Sequence, residues 1–239
     1  MQAVILAAGK GTRLRPVTNQ TPKILLPVTN TKKVIDFLIQ AIPDKVEEFI
    51  VVVNHLEEQI KQAFKKKLTG KKKLTFVRHK KLDGTAKALW QCKEKLKKSF
   101  LVLNGDDIYQ KKDLVRLAEQ ELAILAVRKK GKPTGGVIKT DQKHKLISII
   151  DYPNNTKAKS WLLNTGAYKL NQKIFNFKPT RISDHSQEFG LPQTIANMAK
   201  KHKVKVVETE NFYQINTVED WEKFQKIQTS QSFLKMDLV

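Results

Sequence analysis

Ala3-Val4-Ile5-Leu6-Ala7-Ala8-Gly9-Lys10-Gly11-Thr12-Arg13-Leu14-Arg15-Pro16, closed by Thr21-Pro22-Lys23, is the stretch on which the fold turns. A short, unbroken apolar run bounded by glycine predicts a buried parallel strand. Glycines at its carboxyl end let backbone N–H groups approach an anion, because no Cβ intervenes. Arg13, Arg15 and Lys23 add cations beside that cradle. Strand end, glycine loop and basic side chains together predict a phosphate site. The stretch is not a P-loop, which needs two glycines separated by four residues and followed by Lys and Ser/Thr. Nor is it the dinucleotide fingerprint, because Leu14 stands where the third glycine would be. Arg15 precedes a proline and is biased away from helix, so the loop is expected to stay extended and wrap its ligand.

Outward from this stretch, apolar runs at Ala3–Ala7, Phe49–Val53, Leu74–Val77, Phe100–Leu103 and Ala123–Val127 alternate with helical periodicity. The helical patterns cover Val34–Ala41, Leu56–Phe64, Thr85–Leu96 and Lys112–Glu121. This alternation predicts an α/β fold, a Rossmann-like and mostly parallel sheet flanked by helices. Beyond it, Val137–Lys139, Leu146–Ile150 and Leu162–Leu170 are separated by turns and predict a small antiparallel extension for a second substrate. Helices are expected near Gln187–Lys200 and Val218–Ile227. One domain over residues 1–228 and a tail over 229–239 complete the expected organisation.

Composition narrows the classes. The 239 residues carry a net charge of +22, but only six of the 45 basic residues are arginine. Base-edge and bidentate phosphate recognition favour arginine. The lysines scatter through helices and turns without interleaved aromatics, so nucleic-acid affinity beyond non-specific binding is not expected. No run approaches the ~18 apolar residues of a membrane span, and the first strand begins too early to leave room for a signal peptide. A cytoplasmic protein is expected, and a homo-oligomer is compatible with it. The single cysteine, Cys92, lies among Ala88, Leu89, Trp90 and Leu96 and reads as an inert buried thiol.

The run Gly9 to Thr18, with Pro22-Lys23, resembles the G-x-G-T-R-L-x-P-x-T-x-x-x-P-K signature of the sugar-1-phosphate nucleotidyltransferases. The resemblance implies transfer of a nucleotidyl group from an NTP to a sugar 1-phosphate, with release of pyrophosphate. It implies Mg²⁺ as cofactor and a pyrimidine nucleotide, dTTP or UTP, as donor. Expected catalytic residues are Arg13, Lys23 and Asp106. Asn104-Gly105-Asp106-Asp107 follows the strand Phe100–Leu103, where ligands of open parallel sheets gather. It is similar to the family's strand-N-G-D motif, which assigns Asp106 the metal with Asp107 behind it.

The resemblance also places Leu6, Ala8, Gly9, Gly11, Thr12 and Arg13 against the nucleotide. Gly84-Thr85-Ala86 is similar to the element beside the base, with Thr85 as helix N-cap, and His79 occupies the position of a base-reading glutamine. Acceptor-binding candidates are Asp151, Asn164, Thr165 and Glu188. Two departures stand out. The E-K-P element is here Asp151-Tyr152-Pro153, and the later metal carboxylate is replaced by amides, Gln214 or Asn216. An amide oxygen ligates Mg²⁺ without charge and holds it more weakly. A regulatory relative with little catalysis, and a cytidylyltransferase for a phosphocholine-like acceptor, are the alternative readings.

Overall fold

The computed structural model describes residues 1–68, 70, 72–133, 135–150 and 159–230. Strand β1 (Gln2–Leu6) is the centre from which the sheet is built. It pairs in parallel with β2 (Glu48–Val53), which pairs in parallel with β3 (Lys73–Arg78). On its other side lies β4 (Ser99–Asn104), again parallel, with Leu6 opposite Asn104. That register builds the site, because the loops after Leu6 and after Asn104 leave adjacent strands at the same level. The backbone N–H of Gly105 then donates to Leu6 O at 2.9 Å, tying the two loops together.

The sequence between these strands forms the layers. Helices α1 (Val34–Ala41) and α2 (Glu57–Lys67) cover one face, and α3 (Thr85–Trp90) covers the other. After the two-residue β5 (Asp107–Ile108), α4 (Lys111–Ala118) returns to the first face. Alternation along β1 divides the core accordingly. Ala3 and Ile5 pack with Ile35, Leu38, Ile60, Phe64 and Leu114, whereas Val4 packs with Ala88 and Leu89.

The second half carries antiparallel strands as expected, but they reach beyond a small extension. Strand β6 (Ala123–Lys130) is followed by the hairpin β7 (Val137–Thr140) and β8 (Leu146–Ile150), then by the long β9 (Ser160–Asn171). Only β7 and β8 form an extension. β9 inserts into the main sheet, antiparallel to both β4 and β6. Its run Leu162–Leu170 is buried on both faces, which a central strand requires and an edge hairpin does not. Short β10 (Thr180–Arg181) and β11 (Phe189–Gly190) form a separate antiparallel pair before α5 (Leu191–Ala199), so that helix starts later than its periodicity suggests. β12 (Lys205–Thr209) closes the sheet beside β6. The two-residue β13 (Tyr213–Gln214) pairs antiparallel with β5, and α6 (Val218–Thr229) follows. The expected tail boundary therefore falls at the end of α6, and residues 231–239 lie outside the described residues.

Three other local expectations are corrected. The glycine loop is not extended: it folds into 3-10 turns at Thr12–Leu14, Val17–Asn19 and Lys23–Leu25, with Arg15 extended between the first two. The helix from Thr85 ends at Trp90, and a 3-10 turn at Lys93–Lys95 replaces its last turn. Gly84, not Thr85, is the N-cap residue of α3. Among the described residues no helix is long and apolar enough to cross a membrane. Cys92 is fully buried, and burial pushes its thiol pKa up to about 12.

Candidate functional site

Gly11 takes φ +64°, a left-handed backbone that glycine adopts without strain. Thr18 donates its hydroxyl to Gly11 O at 2.8 Å and locks the turn. Gly9 has no such structural requirement, since a Cβ there would meet nothing within 4 Å. It lines a cleft instead, so the room left beside it is room for a ligand. The cleft holds about 340 Å³ at the carboxyl ends of β1 and β4. Leu6, Gly9, Gly11, Thr12 and Arg13 line one wall; Lys23, Asp106, Glu188 and Asn216 face it from elsewhere in the chain.

The centre of the cleft is Lys23. Its ammonium donates to the Asp106 carboxylate and, at 2.9 Å, to Asn216 Oδ1. The side chain is only 11% exposed, so this cation is largely shielded from bulk water. Asn216 is brought here by a third apolar cluster. Leu14, Leu26, Val34 and Phe37 from the loop and α1 pack against Ile215 and Phe224. Phe37 and Phe224 meet edge to face at 5.4 Å, and Trp221 Nε1 donates to Pro27 O. Thr217 caps α6 with Asp220, whose carboxylate also accepts from the Asn216 backbone N–H. The loop carrying Asn216 is thus held at both ends.

Asp107 is of a different kind. It is 2% exposed and its Oδ2 accepts from Asn104 Nδ2 at 3.0 Å, while Oδ1 has no hydrogen-bond partner among the described residues. Burial first, and then the charge of Asp106, push its pKa well above the carboxylate range. Asp106 is the aspartate that lines the cleft. The antiparallel register sets Gln214 opposite Asp107, and Asn216, two residues on, is the amide that meets Lys23.

Several expected residues are placed away from the cleft. Ala8 is 7% exposed and belongs to the core. His79 is 3% exposed and its Nε2 lies 2.8 Å from Asp83 Oδ1, so its ring edge is engaged by a carboxylate and not offered to a base. Thr165 is 1% exposed, with its hydroxyl donating to Leu125 O; pairing of β9 with β6 turns it into the sheet interior. Asn164 is held by its own strand, donating to Tyr168 Oη and accepting from Gly166 N–H. Asp151 lies outside the described residues.

Gly84 and Thr85 do not line the cleft but clamp a segment that does. A Cβ on Gly84 would stand 2.4 Å from Phe189 O. Phe189 N–H donates to Asp83 O, and Leu191 N–H donates to Thr85 Oγ1 at 2.9 Å. The strand after Glu188 is therefore stitched to the loop before α3. No local pattern signals this clamp, because its two halves lie 106 residues apart. Ala7 and Ile24 also line the cleft, beside the motif residues Pro22 and Gly105.

With this geometry in place, the comparisons with known proteins are specific. The nucleotidyl transferase family model matches residues 2–224. The bifunctional protein GlmU of Methanocaldococcus jannaschii is 31% identical over 214 residues, covering 89% of this chain and 50% of that protein. The chain thus spans about half the length of the curated GlmU relatives it matches. The D-glycero-alpha-D-manno-heptose 1-phosphate guanylyltransferase of Campylobacter jejuni is 27% identical over 228 residues, covering 94% and 98% of the two chains. The solved structure of UDP-glucose pyrophosphorylase complexed with UDP-glucose superimposes with a TM-score of 0.75 at 19% identity, over 95% and 97% of the chains. The fold is shared, and the match extends through Arg13, Lys23, Asp106 and Asn216; the chain belongs to the nucleotidyl transferase family.

Proposed function

We propose that this chain transfers a nucleotidyl group from an NTP to a sugar 1-phosphate. The observation that carries this reading is the convergence of Arg13, Lys23, Asp106 and Asn216 on one cleft beside an unobstructed glycine loop. In the reaction an oxygen of the sugar phosphate bonds to the α-phosphorus. The bond from that phosphorus to the bridging oxygen of the β-phosphate breaks, and pyrophosphate leaves with the electron pair.

Such a transfer depends on positioning and on neutralising charge. Lys23, shielded and held by two oxygen acceptors, is pre-aimed at oxygens that gain charge in the transition state. Arg13 makes no ion pair among the described residues, which leaves its guanidinium for the phosphates farther from the reacting centre. Glu188, fixed by the clamp at Thr85, stands on the wall where an acceptor's hydroxyls are expected.

Mg²⁺ fits the donor set, which is a carboxylate at Asp106 and an amide oxygen at Asn216, both within reach of one Lys23 ammonium. When bound with the substrate phosphates it supplies further neutralisation of the triphosphate charge. Asp107, buried with its carboxyl against Asn104, supports the turn and does not join this set.

The test is a pyrophosphate-release screen of individual NTPs against sugar 1-phosphates and phosphocholine, with and without Mg²⁺. Turnover with at least one sugar 1-phosphate is expected, and a pyrimidine donor is the base first tried. Preference for phosphocholine would establish the cytidylyltransferase alternative. Nucleotide binding without turnover in any combination would establish the regulatory one.

A further inference from the structure

A second cavity of about 680 Å³ adjoins the nucleotide cleft, and Arg13 and Asn216 line both. Its remaining wall is built from the carboxyl end of β6 with Lys132 and Pro133 just beyond it, Leu163 of β9, the segment Glu210–Thr217 and the start of α6. Lys129, Lys130 and Lys132 face it from one side and Lys223 from the other. None of these four lysines, nor Arg13, forms an ion pair among the described residues, whereas Lys23, Lys61, Lys67, Lys97 and Lys111 all do. The acidic residues of the wall are Glu210 and Asp220, and Asp220 is occupied with capping α6. Lys129 rests over the Phe212 ring at 5.7 Å, and burial together with the charge of Lys223 lowers its pKa. Five cations, Arg13, Lys129, Lys130, Lys132 and Lys223, against the two carboxylates of Glu210 and Asp220 leave the concavity net positive, a potential that an anion relieves.

We propose that this basin receives the leaving pyrophosphate, with Lys129 and Lys223 as its principal ligands. The proposal rests on the nucleotidyl-transfer reading, which sets the β- and γ-phosphates at Arg13. Arg13 is the residue shared by cleft and basin, so the leaving group is the reactant fragment nearest the lysines. Glu188, the acidic candidate for acceptor hydroxyls, lines the cleft and not the basin. The basin also accounts for a metal donor set of one carboxylate, Asp106, and one amide, Asn216, because charge taken from the departing anion by lysines need not be taken by metal.

The test is calorimetric titration of the full chain with inorganic pyrophosphate alone, without divalent metal or nucleotide. Lys129→Ala/Lys223→Ala is expected to weaken binding by at least tenfold, and Lys129→Arg/Lys223→Arg to retain it. Lys201→Ala/Lys203→Ala, which removes the same charge from a remote surface, is expected to change it less than twofold. Equal weakening by the remote pair would overturn the proposal, since the effect would be net charge only. So would unchanged pyrophosphate affinity in Lys129→Ala/Lys223→Ala with a raised KM for the sugar 1-phosphate, which would make the basin an acceptor subsite. Because this titration needs no turnover, it succeeds or fails independently of the catalytic reading.

Discussion

Lys23 and Asn216, 193 residues apart in the chain, meet at 2.9 Å between Nζ and Oδ1. The first belongs to the last 3-10 turn of the glycine loop and the second to the segment leading into α6. Their meeting makes the carboxy-terminal segment part of the cleft. Phe224, 1% exposed in the cluster that joins them, is the packing element that maintains it.

Asn216→Asp places a second carboxylate beside Lys23 and Asp106. The Mg²⁺ concentration for half-maximal rate is expected to fall about threefold or more, because a charged oxygen replaces a neutral one. Gln214→Glu, directed into the neighbouring basin, is expected to leave that concentration unchanged. Mg²⁺ titration of the rate distinguishes the two amides.

In the proposed reaction, Arg13→Ala and Lys23→Ala each remove charge that would face phosphate oxygens. Turnover is expected to fall by at least ~10²-fold while the far-ultraviolet circular dichroism is retained. Asp106→Asn is expected to abolish Mg²⁺-dependent turnover, whereas Asp107→Asn, at a carboxyl already pushed toward its neutral form by burial, retains measurable rate. Loss in the second variant with retention in the first would reverse the assignment of the two aspartates.

The clamp between α3 and the Glu188 segment separates structural from positioning roles. Gly84→Ala puts a Cβ against Phe189 O at a φ of +103°, and is expected to cost at least about 1–3 kcal/mol in denaturant unfolding. Thr85→Val removes the acceptor for Leu191 N–H. It is expected to raise KM for the sugar 1-phosphate several-fold with little change in KM for the nucleotide, and Thr85→Ser is expected to restore it.

Cys92 provides a pH test of the core. Its thiol is raised by burial from the ordinary 9.0 to about 12, so the native state holds this proton more tightly than the unfolded chain. The associated stability is fully present below pH ~9 and is lost as pH rises toward ~12. Native protein at pH 8 is expected to resist iodoacetamide and to react only after denaturation, as read by intact mass.

Much of the fold was legible because its signals are local. The run Ala3–Ala8 and the alternation with Val34–Ala41 and Glu57–Lys67 carry their periodicity in the sequence itself. The cleft residues Gly9, Arg13, Lys23 and Asp106 were legible for the same reason: they lie in short motifs at strand ends. β9 was misplaced because an antiparallel strand buried on both faces reads like a hairpin until its neighbours are known. His79 and Thr165 were misjudged because their partners, Asp83 and Leu125 O, are set by chain direction and register. Asn216 could be singled out by type, but its choice over Gln214 depends on the β5–β13 register.

The proposed nucleotidyl transfer gives Arg13, Lys23 and Asp106 a joint role. Its most direct test is mass-spectrometric analysis of the products after incubating the chain with an NTP, a sugar 1-phosphate and Mg²⁺, beside the Lys23→Ala variant. An NDP-sugar formed in equal amount with pyrophosphate by the parent chain, and at least ~10²-fold more slowly by the variant, is the predicted result. No NDP-sugar with any NTP and sugar 1-phosphate pair, or equal formation by parent and variant, would contradict it.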